Sequence, residues 1–416
     1  MKKRPSRAPL LTPRSPAYCL DITRLVSRAG RGPFTGIDRV ELAYLDGLLS
    51  LDAPVFGLTR TALGYILVDR AALTNLQPQI YGQVPWGPVD MLGRLRRRLP
   101  EAQARAEADL RRHAVGRCVK TRLTAMLRAR LPAGTAYLNT GHSNLSRRTL
   151  SQVAHAGMDV AVLVHDVIPL DLPHTQRPGT VESFARRMAA VEAHADTIIC
   201  ATEATQKAIA RHLEPAKASF VTAPLGASLS DPRPSPKAPD PPYMLAVGTI
   251  DARKNQALLL DVWDDLHARM GQHTPTLILA GSRGWGDAGL MARLDTLVEG
   301  GQPVREVPGL SDGEIAHLMS GATALLHPSL AEGFGFPVIE AALRGIPIIC
   351  QDLPVYRETV GDIPVYVPST GMYHWCNAVD VLLNGGDKEQ ATTQDWAPRP
   401  HHPTWDSHLE TVLAVV

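Results

Sequence analysis

The chain has 416 residues, 44% hydrophobic and 20% charged, enough apolar mass for sizeable cores and a length that fits two or three domains of about 150 residues. Its 43 basic and 41 acidic residues leave a formal charge of +2, which excludes the whole-molecule positive field of a dedicated nucleic-acid binder. No apolar run approaches the ~18 residues of a membrane span. The five cysteines, Cys19, Cys118, Cys200, Cys350 and Cys376, are scattered and never form a CxxC, so a reduced, cytoplasmic protein without zinc knuckle or disulfide framework is expected.

Residues 1–16 are basic, broken by proline and lack an apolar h-region, and are expected to be a disordered tail and not a signal peptide. From Tyr18 onward short β-branched or apolar runs alternate with turns and helical stretches. The first half offers Tyr18–Ile22, Ala136–Asn139, Val160–Val164, Thr197–Cys200 and Ser219–Thr222 as strands. After the first of them comes RAGRGPFTG, whose Gly30, Gly32 and Gly36 suit a loop that closes on a ligand. Asp38 and Arg39, just beyond, could reach such a ligand. His165 and Asp166 end the strand Val160–Val164, at the sheet edge where α/β proteins bind ligands. Asp166 is left between two roles, holding the histidine or fixing the loop.

Residues 91–130 break the rhythm, with twelve Lys/Arg against three acids. Leu92, Leu95 and Leu99, then Val119, Leu123 and Leu127, stand at helical spacing, so a basic helical insertion is expected. Such a helix can lie on an anionic membrane; the commoner fate of a charge run is a solvated outer face, here of a helical hairpin.

Residues 230–242, SDPRPSPKAPDPP, hold six prolines in thirteen positions and cannot pack as an element, so 231–242 is read as a linker. It separates a domain over 17–230 from one over 243–400, followed by a terminal helix over 401–416. The second half offers Tyr243–Val247, Thr276–Ala280, Val304–Val307, Ala322–Leu326, Ile346–Cys350 and Pro364–Val367, with helical stretches between. Two Rossmann-like α/β domains with parallel sheets follow.

The segment from His327 to Glu340, HPSLAEGFGFPVIE, carries the most chemistry. It leaves a buried-type strand and opens a helix with Pro337 in its first turn. Gly333 and Gly335 admit a ligand to the backbone, and the N–H groups near Gly335 and Phe336 make a ready anion site. Glu332 lies before this helix and Glu340 about one turn inside it, so the two carboxylates can meet different parts of one ligand. Arg253 and Lys254 follow Tyr243–Val247, two adjacent cations at the sheet edge where α/β proteins bind ligands. No GxGxxG or Walker A motif occurs, which excludes a dinucleotide dehydrogenase and a P-loop NTPase. No DxD sequence occurs either, so cationic side chains are expected to replace a metal.

The Glu-x7-Glu segment EGFGFPVIEAALRGIPIIC resembles the signature of the retaining GT-B glycosyltransferases of family 4. The likeness extends to VGTIDARKNQALLLDVW, AGSRGWG, GLSDGEIAHLMSGATALLHPS and LPVYRETVGD. TGIDRVELAY and VHDVIPLDLP resemble the subset that builds bacterial surface polysaccharides, mannosyltransferases included. The resemblance implies a GT-B fold: two Rossmann-like domains facing across a cleft, acceptor on the first and nucleotide sugar on the second. WDSHLETVLAVV resembles a final helix that returns to the first domain. The resemblance makes Glu332, His165, Arg253 and Lys254 catalytic. It puts the donor against Glu340, Gly333, Phe334, Gly335, Phe336, Thr249 and Ser329, with Gly309 and Leu310 reading the base. Thr249 stands where relatives often carry arginine, so Arg253 is expected to take over that work. Metal-independent transfer with retention is implied, with GDP-mannose the first donor and UDP- or dTDP-sugars open. The acceptor is expected to be a lipid-linked or growing surface glycan at the inner face of the cytoplasmic membrane. The alternatives are an epimerase of the same fold and a catalytically silent glycan-assembly scaffold.

Overall fold

The computed structural model describes residues 14–96, 98–234, 242–285, 288–368, 371–384 and 402–416. Residues 1–13 of the tail expected over 1–16, and residues 235–241 of the proline-rich linker, lie outside the described residues. Eight strands form the first sheet: β1 (Tyr18–Asp21), β2 (Val55–Thr61), β3 (Gly64–Asp69), β4 (Ala114–Cys118), β5 (Ala136–Asn139), β6 (Asp159–Leu163), β7 (Thr197–Cys200) and β8 (Ser219–Thr222). Their order is β4-β3-β2-β1-β5-β6-β7-β8. The pairs β2–β3 and β3–β4 are antiparallel and the rest parallel. Six strands form the second: β9 (Tyr243–Val247), β10 (Thr276–Ala280), β11 (Val304–Glu306), β12 (Ala324–His327), β13 (Ile348–Gln351) and β14 (Val365–Val367). All are parallel, in the order β11-β10-β9-β12-β13-β14.

Both sheets reverse direction of growth beside their first strand. In the first the switch lies between β1 and β5, in the second between β9 and β12. Crevices at the carboxyl ends of such strands are where open α/β sheets bind ligands. The central strands are buried on both faces, as covered parallel sheets require: every residue of YCLD, AYLN and ALLH is buried.

The stretch 91–130 differs from the expected helical insertion. It forms helices Met91–Leu95, Glu101–Arg112 and Leu123–Arg130, with β4 between the last two. Leu123 and Leu127 are buried in the core, so the third helix is an ordinary crossover. Arg111 is also drawn inside, 2.6 Å from Asp90 and 3.4 Å from Glu107. Part of the charge run is thus paired, while Met91 and Leu95 stand 79% and 78% exposed.

The terminal helix Trp405–Leu413 packs on the helix Gly36–Ser50 of the first domain. A side chain at Gly47 would meet Leu409 Cδ1 at 2.1 Å. Tyr44 Oη and His408 Nε2 lie 2.8 Å apart, and His408 Nδ1 lies 2.9 Å from the Ala223 carbonyl. The chain therefore passes from the second domain back to the first.

Candidate active site

The switch point of the second sheet gathers the charged side chains. The turn after β9 is pinned by Asp251, whose Oδ1 accepts the Lys254 N–H at 3.0 Å. Asn255 then takes the left-handed conformation, φ 55°, that admits the helix Gln256–Met270. From this turn Lys254 Nζ donates to Glu332 Oε1, and Arg253 Nη1 lies 3.2 Å from the same oxygen. Arg253 Nη1 also donates to the Ala331 carbonyl at 3.0 Å, and the Leu330 N–H to the Arg253 carbonyl at 2.9 Å. His327, at the end of β12 and 2% exposed, brings Nε2 to 3.3 Å from Glu332 Oε1.

Burial pushes the Glu332 carboxyl up, but Lys254 and Arg253 outweigh it and hold the group well below the usual carboxylate range. Burial pulls the Lys254 ammonium down, against the attraction of Glu332. The unit is an ionised carboxylate with two cations on one oxygen, and such a buried pair becomes costly when one partner is removed.

The helix Phe336–Arg344 starts from Gly335, φ 82°. A Cβ there would sit 2.4 Å from the Tyr356 ring, so only glycine fits. Gly333 is held as tightly across the cleft: its Cβ would lie 2.3 Å from the His165 carbonyl oxygen and 3.2 Å from Asp166 Cβ. Thr205 Oγ1 donates to the Gly333 carbonyl at 3.0 Å. The glycine-bearing loop of the second domain thus rests on the residues that follow β6 in the first.

His165 Nε2 lies 2.7 Å from the Thr140 carbonyl, which can only accept, so Nε2 carries the proton. Burial pulls the ring down to about 4, so it is neutral at pH 7. The His142 ring stands 4.9 Å away, centroid to centroid. Asp166 Oδ1 accepts from the Ile168 N–H at 3.1 Å, an Asx turn that fixes the loop.

The remaining expected residues divide. Glu340 pairs with Arg39 across the cleft at 2.7 Å, and the Arg39 guanidinium lies 5.0 Å from the Phe336 ring centre. Gly36 faces Phe336, its Cβ position 3.4 Å from the ring. Ser329 is fully buried behind Glu332, and Thr249 is exposed at the start of the turn. Phe334 is buried and meets Phe336 edge-on at 5.1 Å. Gly309, φ 74°, and Leu310 follow β11, two strands from β9 at the sheet's edge.

Asp38 is not brought to the cleft. It is 0% exposed, caps the helix Gly36–Ser50 through the Thr35 N–H at 2.7 Å, and pairs with Arg24 at 2.6 Å and Arg28 at 3.2 Å. Its place is in the scaffold of the glycine loop. Gly30 and Gly32 stand in that loop beside the helix Glu101–Arg112, where a Cβ on Gly30 would meet Ala102 Cβ at 2.6 Å. Sequence reasoning gave no role to His327, Tyr356 or Thr205. The histidine that ends β12 five residues before Glu332 was the available signal; the other two are distant in sequence. Among the described residues no group of three or more His, Cys, Asp or Glu could hold a metal ion.

Residues 229–393 match the family model described as Glycosyl transferases group 1. The serotype-specific mannosyltransferase WbdA of Escherichia coli is 29% identical over 222 residues, 49% of this chain and 27% of that protein. The O-antigen chain mannosyltransferase B of Escherichia coli is 34% identical over 120 residues, 29% of this chain and 31% of that one. The chain therefore spans under a third of the length of these relatives. The crystal structure of HepE from Anabaena, in complex with UDP and glucose, superposes with a TM-score of 0.57, covering 96% of this chain and 95% of that one at 14% identity. That likeness is one of fold.

Proposed function

We propose that this chain, whose residues 229–393 match the family model for glycosyl transferases group 1 and whose fold is GT-B, moves a sugar, mannose first, from a nucleotide diphosphate sugar to a surface glycan or its lipid-linked precursor. The observation that carries this reading is the cluster at the β9/β12 switch point, where Arg253 and Lys254 converge on Glu332. A carboxylate beside a diphosphate is unfavourable unless cations lie between them, and here two do.

In this reading Arg253, Lys254 and the N–H groups of 333–336 hold the diphosphate, as helix starts do. Glu340 meets a ribose hydroxyl, Gly309 and Leu310 the base, and Thr249 and Ser329 shape the floor. The bond from the sugar's anomeric carbon to the diphosphate oxygen breaks as the acceptor oxygen bonds to the same face. The acceptor's proton passes to the departing phosphate oxygen, so charge and atoms balance without a protein nucleophile. Glu332 faces the developing positive charge on the sugar, and the neutral His165 and its carbonyl bound the site from the first domain. Mannose is favoured by the mannosyltransferase relatives, GDP-mannose is the first donor in this reading, and UDP- and dTDP-sugars are the competing donors. The glycine loop at Gly30, Gly32 and Gly36 lies on the acceptor side with Arg39, and the exposed helix Met91–Leu95 would bring the protein to an anionic membrane.

The test is nucleotide diphosphate release from GDP-mannose, UDP-glucose and a dTDP-sugar, with and without a glycan acceptor. Acceptor-stimulated release with one donor, abolished by Glu332→Gln, is expected. A protein that binds these donors and never releases diphosphate would be a scaffold. One that converts the donor to its epimer without acceptor would be an epimerase.

A further inference from the structure

A cavity of about 810 Å³ lies wholly within the first domain, between the glycine loop, the segment 79–86 and the helix Glu101–Arg112. Phe34, Tyr81 and Trp86 line it together with Gln79, Glu101 and Arg105. Phe34 and Tyr81 meet edge-on at 6.4 Å, which fixes two of the three rings. We infer that this cavity binds the glycan part of the acceptor, several sugar units back from the transferred one, by stacking pyranose faces on its aromatic wall. The inference rests on the glycosyl-transfer reading above.

The wall selects the ligand class. Its volume falls in the range of small-molecule sites, and three aromatic side chains are part of its lining. A hydrocarbon chain would gain nothing from Gln79, Glu101 and Arg105 on the wall. A phosphate would need uncompensated cations. Here Arg105 is paired with Glu101 at 2.8 Å and Arg28 with Asp38 at 3.2 Å. A ligand with both apolar faces and hydroxyl edges fits all of these groups, and a sugar chain is that ligand. The location agrees, because the loop that forms one wall runs on to Gly36 and Arg39, which touch Phe336 and Glu340 on the donor side. A chain held in the cavity is thereby led toward the cleft.

The experiment uses the full chain with Trp86→Ala, Phe34→Ala and the conservative Trp86→Phe, probed with di- to tetrasaccharides of mannose, glucose and N-acetylglucosamine. One of these saccharides is expected to quench tryptophan fluorescence in the natural protein and not in Trp86→Phe. Acceptor KM should rise about tenfold in Trp86→Ala and recover in Trp86→Phe, a size in keeping with one aromatic contact. Donor KM, acceptor-independent donor hydrolysis and nucleotide diphosphate affinity should not move, which separates this outcome from misfolding. Unchanged acceptor KM with donor hydrolysis intact overturns the inference and leaves the transfer reading standing. Quenching by an alkyl detergent and by none of the saccharides also overturns it, assigning the cavity to hydrocarbon. Absence of any donor turnover in the natural protein defeats the transfer reading itself, while saccharide quenching still reports on the cavity.

Discussion

At the residue scale the two carboxylates of the Glu-x7-Glu segment have become unequal. Glu332 Oε1 holds two cations of its own domain, whereas Glu340 pairs with Arg39 of the other domain. Glu332→Gln should therefore keep or tighten nucleotide diphosphate binding, since it frees Arg253 and Lys254, and should lower turnover by the ~10²–10³ of one lost transition-state contact. Glu340→Gln should weaken the bare nucleotide. Calorimetry beside steady-state rates decides, and the reverse pattern would misplace the sugar. His165 makes a second test. Its folded pKa lies at about 4, below the ordinary 6.5, because burial disfavours the charged ring. The sign follows: stability from this group is complete above pH 6.5 and is lost as pH falls toward 4, where the unfolded chain binds the proton first. The ring C–H resonance should stay at its neutral position from pH 7.5 to 5; a midpoint near 6.5 would place the ring in water. The identity of these residues was legible in the sequence. Their partners were not, because Lys254 and Glu332 are 78 positions apart and only folding sets which oxygen meets which nitrogen.

At the scale of elements, two loops meet where β6 of one sheet faces β12 of the other. Gly333→Ala would drive a Cβ to 2.3 Å from a backbone carbonyl of the facing domain, a contact that no rotamer change relieves. Transfer should fall by more than tenfold while the melting temperature of the second domain is nearly unchanged, because Gly333 is outside its strands and helices. Full activity in this variant would mean that the loops separate during turnover. The helix Met91–Leu95 presents the other element-level test. Met91 and Leu95 are largely exposed and Arg94 stands in its last turn, an arrangement suited to an anionic lipid surface. Co-sedimentation with anionic and not neutral vesicles is expected, with release as salt shortens screening to about 8 Å or less. Loss of this binding in Met91→Ser/Leu95→Ser would locate it; equal indifference to both vesicles would leave the helix a solvated face. Ala136–Asn139, Thr197–Cys200, Ser219–Thr222, Tyr243–Val247 and Thr276–Ala280 follow the β-branched runs of the sequence residue for residue. The strands β2, β3 and β4 were not read, since an antiparallel excursion leaves the strand–helix rhythm that betrays the others.

At the scale of the whole molecule, the two domains are joined by polar contacts remote from Glu332. Glu358, on the helix Pro354–Val360, accepts the N–H groups of Glu203 and Ala204 at 2.7 and 3.1 Å. It thereby caps a helix of the other domain, Glu203–Ala210. Such a cap is worth about 0.5–2 kcal/mol, comparable to the difference between open and closed populations in many two-domain proteins. Glu358→Ala should therefore enlarge the radius of gyration in solution scattering and raise donor KM several-fold without lowering the stability of either sheet; an unchanged scattering profile would show that the cap plays no part in closure. The sequence by itself determined the α/β character of both halves, the glycine-bounded helix start at Gly335 and the charges of Glu332, Arg253 and Lys254, because strand, turn and charge are local properties of a few neighbouring residues. Only the tertiary structure decided that Asp38 is a buried cap, that Arg39 crosses to Glu340, and that aromatic residues from two segments line one cavity, because these depend on how elements tens to hundreds of residues apart in sequence are brought together by burial of their apolar faces.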